Sequence, residues 1–206
     1  MKYFITGATG FLGGCVARQL VDGGHTVNAL VRSPAKAAAL QALGIQLFRG
    51  DVTDTASLRA PMAGVDGVYH IAGWYKIGAR DKTEAQRVNV DGTRNVLEAM
   101  RDLGIPKGVY TSTVAIFSDT HGRKPDETYR YEGPHISEYD RTKAIAHRVA
   151  EGFIRAADQI EHVVLDVEVA PTRRRVSNGS ALFGYKLHTR PGLSSRVSLH
   201  LLAGGR

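Results

Sequence analysis

The sequence feature that most constrains the fold is a glycine-rich stretch near the amino terminus, Thr6-Gly7-Ala8-Thr9-Gly10-Phe11-Leu12-Gly13. It follows an apolar run that predicts a short buried strand, Tyr3-Phe4-Ile5, and it leads into apolar residues at helical spacing. Gly7 permits a tight turn, Gly10 leaves room for a phosphate, and Gly13 lets the helix lie close to the strand. Because the amino end of a helix favours anions, this stretch predicts a phosphate-binding turn.

The glycine spacing by itself is weak evidence for a binding site, because a chain with 23 glycines produces it readily. A structural glycine turn is the alternative to a binding site. The order of strand, turn and helix favours a dinucleotide site over that alternative.

Further along the chain, apolar strand patterns alternate with helical patterns. Strands are predicted at 25–31, 46–48, 67–73, 107–112 and 163–169, and helices at 11–22, 35–43, around Leu58, 83–103 and from Ser137 to Phe153. This alternation predicts an α/β fold with a doubly wound parallel sheet.

Two predicted strands end in residues that could recognise an adenosine. Arg32, with Lys36 one turn later, could pair with a 2′-phosphate, which favours NADP over NAD. A solvated charge at the strand end is the alternative for Arg32. Asp51 could accept from an adenine amine with Val52 against the ring, whereas Asp54 is better explained as a helix N-cap.

The exit from the fourth predicted strand combines small and aromatic residues. Ala72 and Gly73 allow a ligand to pass close to the backbone, and Trp74 and Tyr75 follow at once. This aromatic pair could face a substrate or could merely cover the loop. Asn89, beside the apolar stripe of the next helix, is expected to need a hydrogen-bond partner.

Tyr139 and Lys143 are four residues apart on a predicted helix, so their side chains share one face. An ammonium beside a phenol, with a cationic nicotinamide close by, favours the phenolate and would bring a pKa near 10 into a range useful for proton transfer. Thr113, at the end of the fifth strand, could hold a substrate oxygen. The pattern predicts hydride transfer at a nicotinamide coupled to proton transfer through Tyr139, with Lys143 also binding the cofactor ribose.

Six motifs in order give the chain a family resemblance. They are the glycine-rich stretch, Gly50-Asp51, His70-Ile71-Ala72-Gly73, Asn89-Val90-Asp91-Gly92-Thr93, Tyr110-Thr111-Ser112-Thr113 and Tyr139-x-x-x-Lys143. The chain resembles the extended short-chain dehydrogenase/reductase family, also called the NAD-dependent epimerase/dehydratase family. Arg32 and the Trp74-Tyr75 stretch look more like its dihydroflavonol-reductase-like and hydroxysteroid-dehydrogenase-like branch than its sugar-nucleotide epimerases.

The resemblance implies a Rossmann-type fold and assigns Tyr139 as catalytic acid/base, Lys143 as its partner and Thr113 at the catalytic Ser/Thr position, with Ser112 as the other candidate. The implied cofactor, NADP or else NAD, would be bound by Gly7, Thr9, Gly10, Phe11, Leu12, Gly13, Arg32, Asp51, Val52, Ala72 and Lys143. No metal is implied.

The resemblance stops near Pro171, where family members continue into a substrate domain. Residues 172–206 carry seven basic and no acidic residues, which accounts for the whole formal charge of +7. We therefore predict a binding domain at 1–171 and a basic, largely disordered tail at 172–206 that is truncated or out of frame, with the substrate domain largely missing. Nucleic-acid binding by this tail is a weak alternative, since arginine-rich tails are usually solvated.

Composition sets the remaining expectations. A single cysteine, Cys15, excludes an internal disulfide and favours a reducing, cytoplasmic setting. No apolar run approaches the roughly 18 residues of a membrane span. The predicted function is reduction of a ketone or aldehyde, or oxidation of a secondary alcohol; the alternatives are a sugar-nucleotide epimerase or dehydratase and a non-catalytic nucleotide-binding remnant or sensor. The helices at 83–103 and 137–155 suggest a homodimer.

Overall fold

The computed structural model describes residues 1–76, 81–126, 128–156, 161–164, 182–184 and 200–202. The strands are β1 (Lys2–Thr6), β2 (Thr26–Val31), β3 (Gln46–Arg49), β4 (Gly67–His70), β5 (Lys107–Tyr110), β6 (Glu161–Val164), β7 (Leu182–Gly184) and β8 (His200–Leu202). The α-helices are α1 (Phe11–Asp22), α2 (Ala38–Gln41), α3 (Thr55–Met62), α4 (Thr83–Ala85), α5 (Gly92–Asp102) and α6 (Glu138–Ala156). Two 3-10 turns (Pro34–Ala37 and Val114–Phe117) and one π-helical segment (Gln86–Asp91) complete the set.

Six strands form one parallel sheet in the order β3-β2-β1-β4-β5-β6. β1 lies near the centre, with Tyr3 paired to Val27 of β2 on one side and to Gly67 of β4 on the other. The strand order reverses between β1 and β4. In open parallel sheets a ligand crevice forms at that reversal, outside the carboxyl ends of the strands. The predicted α/β, doubly wound sheet is therefore confirmed.

The core lies in two layers, one on each face of the sheet. Because successive side chains of a strand point to opposite faces, Phe4 and Ile5 of β1 enter different layers. Phe4 packs with Leu58 of α3 and Met100 of α5, while Ile5 packs with Val16 of α1. The helices thus cover both faces and leave the carboxyl edge of the sheet accessible.

The first predicted helix is confirmed, with α1 ending at Asp22 and Gly23 following as its C-cap. The helix expected at 35–43 is shorter and begins as a 3-10 turn at Pro34–Ala37 before α2. The helix expected at 83–103 contains the π-helical segment Gln86–Asp91, which apolar spacing does not reveal because the stripe continues through it.

The sixth strand begins two residues earlier than predicted, at Glu161, and residues 165–169 of the prediction lie outside the described residues. Of the predicted tail, 172–206, the structure describes only β7 and β8, which pair antiparallel. The predictions of a disordered tail and of a domain boundary at 171 otherwise fall on residues that are not described. Among the described helices, none has the length and apolar character needed to cross a membrane.

Asp54 caps α3 as predicted, because its carboxylate accepts from the Ala56 amide at 3.1 Å. We expect Asp54→Ala to lower the free energy of unfolding by about 1 kcal/mol, since the cap would be lost. Urea unfolding followed by circular dichroism measures this loss. The neighbouring exposed substitution Thr55→Ala should change stability by less than about 0.5 kcal/mol; equal losses would contradict the capping role.

Candidate active site

The glycine-rich turn has the geometry that its sequence predicts. Gly7 has a φ of +75°, and a Cβ there would lie 2.7 Å from the Ala72 amide nitrogen. A Cβ on Gly13 would collide with the Gly7 carbonyl, so glycine is needed for α1 to approach the turn. At Gly10, by contrast, a Cβ would meet only the Gly7 oxygen at 3.3 Å. Gly10 is the N-cap of α1 and supplies no side-chain cap, so the first amides of the helix remain available to an anion.

A cleft of about 470 Å³ runs along the carboxyl edge of the sheet at the strand-order reversal. All of the predicted cofactor residues except Lys143 line it. The cleft wall also includes Trp74, Tyr75 and Thr111, from the segments that follow β4 and β5. The structure thus brings the glycine turn and the ends of four strands around one elongated cavity.

Arg32 is exposed on the cleft wall after β2. Its charge acts on Glu84 of α4, which is ion-paired with Lys76. Glu84 accepts from Lys76 Nζ at 2.8 Å and from Trp74 Nε1 at 3.1 Å. The hydrogen bond from Lys76 lowers the pKa of the Glu84 carboxyl, and the charge of Arg32 acts in the same direction. The sequence analysis missed Lys76 and Glu84. A cation in the segment after β4 and an acid at the start of the next helix were the available signals of an ion pair.

Trp74 and Tyr75 have different surroundings, although the sequence treats them as a pair. Trp74 is buried, and its backbone is held by Asn89, whose Oδ1 accepts from the Trp74 amide at 2.6 Å and whose Nδ2 donates to the Trp74 carbonyl at 3.1 Å. Asn89 Nδ2 also donates to Thr142 Oγ1 at 3.0 Å, so the expected partners of Asn89 are found. Tyr75 is 64% exposed. Of the two aromatic residues, Tyr75 is the one available to a substrate.

Tyr139, near the start of α6, lies beside the cleft. Its ring meets that of Tyr75 edge-on with centroids 4.8 Å apart, and Tyr75 lines the cleft. Burial raises the pKa of Tyr139, and the nearby Thr113 hydroxyl partly offsets that rise. The phenol is therefore protonated at neutral pH.

Lys143 is buried one turn further along α6. Its Nζ donates to Thr111 O at 2.7 Å and to Tyr110 Oη at 2.8 Å, and burial lowers its pKa to about 7. The Lys143 amine is turned towards Tyr110 and Thr111, and burial dominates the pKa of the Tyr139 phenol. That Lys143 and a nicotinamide cation together lower this pKa stays a prediction.

Ser112 and Thr113, the two candidates at the end of β5, point to different partners. Ser112 is buried, and its Oγ lies 3.0 Å from His147 Nδ1. Thr113 is the residue that meets Tyr139, while its Oγ1 also accepts from the Ala115 amide at 3.2 Å. The two positions are therefore distinguished by geometry, and Thr113 is the one beside the phenol.

Asp51 keeps its predicted place in the cleft but is already engaged locally. Its Oδ1 accepts from the amide and the hydroxyl of Thr53, both at 2.9 Å. This local turn fixes the direction of the carboxylate. The adenine contact predicted for Asp51 would then use the other oxygen, Oδ2.

A parallel sheet in this strand order, with a glycine turn before α1 and a cleft at the reversal, defines a Rossmann-type nucleotide-binding fold. The model of the NAD dependent epimerase/dehydratase family matches residues 3–169. The chain belongs to this family.

Relatives with catalogued functions include reductases. A Synechocystis protein provisionally named dihydroflavonol 4-reductase is 36% identical over 165 residues, which cover 79% of this chain and 47% of that protein. A 2-alkyl-3-oxoalkanoate reductase from Stenotrophomonas maltophilia is 39% identical over 153 residues, 72% of this chain and 45% of the relative. This chain therefore spans about half the length of the curated relatives that it matches.

Among solved structures, the UDP-glucose 4-epimerase of Thermus thermophilus in complex with NAD is similar to this chain. It has a TM-score of 0.69 at 26% identity, and the match covers 81% of this chain and 54% of the epimerase. The family thus includes both reductases and epimerases among the proteins similar to this chain.

Proposed function

We propose that the protein is an NADP-preferring oxidoreductase that reduces a ketone or aldehyde, or oxidises the corresponding secondary alcohol. The observation that carries this proposal is the position of Tyr139, edge-on to Tyr75, which lines the cleft, with the Thr113 hydroxyl near the phenol. The reductase relatives support the same chemistry. Because the chain spans about half of those relatives, the activity of the whole protein is part of the proposal.

The cleft fits a dinucleotide. The bare Cα of Gly10 leaves the mouth of the turn open, and the uncapped amides of α1 are donors for a pyrophosphate. Asp51 and Val52 would bind the adenine, and Ala72 lets the backbone after β4 approach the cofactor closely. When bound, the nicotinamide supplies the hydride.

The chain's own residues supply the proton and the orientation. Tyr139 is kept protonated by its burial, which suits a phenol that donates a proton to the oxygen of a carbonyl under reduction. Thr113, whose hydroxyl lies near Tyr139, would hold that oxygen. Lys143 is fixed by Thr111, which lines the cleft, and its amine is assigned to the cofactor ribose.

Arg32 gives the cofactor preference a direct test. We expect Arg32→Ser to weaken NADPH binding about 10- to 100-fold, since a charge-assisted contact to the 2′-phosphate would be lost. NADH affinity should change less than about twofold, because NADH lacks that phosphate. Titration of the fluorescence of each bound cofactor measures both. Arg18→Ser, an exposed arginine on α1, is the matched control; equal wild-type affinities for the two cofactors would remove the NADP preference.

A sugar-nucleotide epimerase or dehydratase is the second candidate, favoured by the likeness to the Thermus epimerase. Turnover of a carbonyl panel with NADPH, compared with conversion of a UDP-hexose, separates the two activities. Binding of NADPH without turnover of either would instead support a non-catalytic nucleotide-binding protein.

The homodimer also remains a proposal. In this chain the apolar faces of α5 and α6 contribute Val96, Met100 and Ala146 to the core.

A further inference from the structure

A chain of buried polar groups runs from Lys143 into the core and back to the glycine turn. Tyr110 Oη accepts from Lys143 Nζ at 2.8 Å, and the Tyr110 ring, 3% exposed, stacks on the His70 ring at 5.7 Å. Oγ1 of Thr93, on α5, lies 3.0 Å from His70 Nε2. His70 Nδ1 in turn lies 2.7 Å from Thr6 Oγ1, just before Gly7. These polar groups lie among apolar side chains, so each needs its partner.

The positions of the protons around His70 follow from Thr93. Its hydroxyl donates its one hydrogen to the Asn89 carbonyl at 2.6 Å, so towards His70 it can only accept. His70 therefore carries its hydrogen on Nε2, and its Nδ1 accepts from Thr6. Burial, with a further effect from Lys143, lowers the pKa of His70 to about 3, in keeping with a neutral ring.

The Tyr110 oxygen turns a lone pair towards Lys143 and accepts from its amine. An ammonium has three hydrogens; Tyr110 Oη accepts one and Thr111 O accepts another. These two acceptors together set the direction of the amine.

We propose that Tyr110 is a positioning residue for Lys143: its oxygen, which accepts from the amine, fixes the direction of that amine and favours its protonated form. The catalytic consequence rests on the proposed function, in which Lys143 binds the cofactor ribose beside Tyr139. The hydrogen bond between Lys143 and Tyr110 does not need a bound cofactor. The Lys143 amine also lies 4.5 Å from the centre of the Tyr110 ring, so the ring face attracts the same charge.

The other titratable groups near Lys143 do not replace this acceptor. His70 of β4 and His147 of α6 are both held neutral, since burial lowers the pKa of each and the Lys143 charge adds to that effect. For His147 the Glu151 carboxylate opposes this lowering but does not reverse it. Tyr139, on the same helix face, has a raised pKa and is also neutral at pH 7. With these neighbours neutral, loss of the Tyr110 oxygen should make the Lys143 ammonium less stable.

Tyr110→Phe tests the proposal because it removes only that oxygen. We expect the pKa of Lys143 to fall by about one pH unit. NMR titration of protein carrying ¹³Cε-labelled lysine, without cofactor and with the signal assigned through Lys143→Met, measures the shift. In turnover, kcat should fall about tenfold with the carbonyl KM changed less than about twofold, since a misdirected amine affects the reacting geometry.

Tyr69→Phe is the matched control, because it removes a phenol oxygen from the neighbouring strand, where Tyr69 pairs with Val109. An unchanged Lys143 titration in Tyr110→Phe, or the same change in Tyr69→Phe, overturns the proposal. Should Tyr110→Phe fail to fold, Tyr110→Met, which also lacks the oxygen, should lower the Lys143 pKa in the same direction. A shifted titration in a protein that turns over no carbonyl supports the pairing and rejects the proposed function.

Discussion

Tyr139→Phe should lower kcat for carbonyl reduction by about 10²- to 10⁴-fold, the usual contribution of a positioned general acid. The substitution removes the only proton that the phenol can give and leaves a ring of nearly the same size beside Tyr75. NADPH affinity should change less than about threefold, since the proposed cofactor contacts lie elsewhere. Steady-state turnover of the best substrate of a carbonyl panel and fluorescence titration of NADPH give the two values.

The pH dependence of this reaction follows from the direction of the Tyr139 pKa. The phenol is the proton donor, so reduction should proceed at full rate below its pKa and decline as the pH rises through it. Because burial raises that pKa, the decline belongs on the alkaline side of its ordinary value near 10. The bound cofactor carries a positive charge on its nicotinamide only when oxidised, and that charge lowers the pKa of Tyr139. Oxidation of the alcohol, which uses the phenolate as base, should therefore need less alkaline conditions.

The control for Tyr139→Phe is Tyr131→Phe, in the loop before α6, where the hydroxyl donates to the Pro134 carbonyl at 3.1 Å outside the cleft. This variant should keep wild-type kcat within about twofold, as expected for a surface change. An unchanged kcat in Tyr139→Phe would exclude the assigned acid. A fall of equal size in both variants would indicate a loss of folding rather than of chemistry.

Features set by neighbouring residues were predicted well from the sequence. The end of α1 at Gly23 and the cap at Asp54 depend on residues within one turn of each other. The strand–helix alternation likewise sufficed for a parallel sheet, because its pattern repeats along the chain. Local chemistry was therefore enough to place the glycine turn, Arg32 and Asp51 at one edge of the sheet.

Features set by contacts between distant segments were not predictable in the same way. Lys143 meets Tyr110, which is 33 residues away, so the spacing of Tyr139 and Lys143 on one helix could not show where the amine points. Neighbouring residues can also lie in different environments, and the sequence alone does not show which residue lies in which. Ser112 turns to His147 while Thr113 turns to Tyr139, because successive residues of an extended chain point to opposite sides.

The glycines of the first turn differ in what a methyl group would meet, and this difference separates binding from folding. At Gly13 the added carbon would collide with the Gly7 carbonyl, so α1 would have to move away from the turn. At Gly10 it would meet one oxygen at 3.3 Å, a contact that a small backbone shift relieves. The methyl group at Gly10 would nevertheless stand where the pyrophosphate is expected.

We therefore expect Gly10→Ala to weaken NADPH binding at least about tenfold while changing the free energy of unfolding by less than about 1 kcal/mol. Gly13→Ala should weaken binding and also lower the free energy of unfolding by about 1–3 kcal/mol, through overpacking against backbone. Gly152→Ala is the control: at an exposed position of α6, with nothing within 4 Å of the new carbon, it should stabilise the fold slightly and leave binding unchanged. Fluorescence titration and urea unfolding measure both quantities. Wild-type affinity in Gly10→Ala would mean that the phosphates bind elsewhere, because no dinucleotide could share the mouth of this turn with the added methyl group.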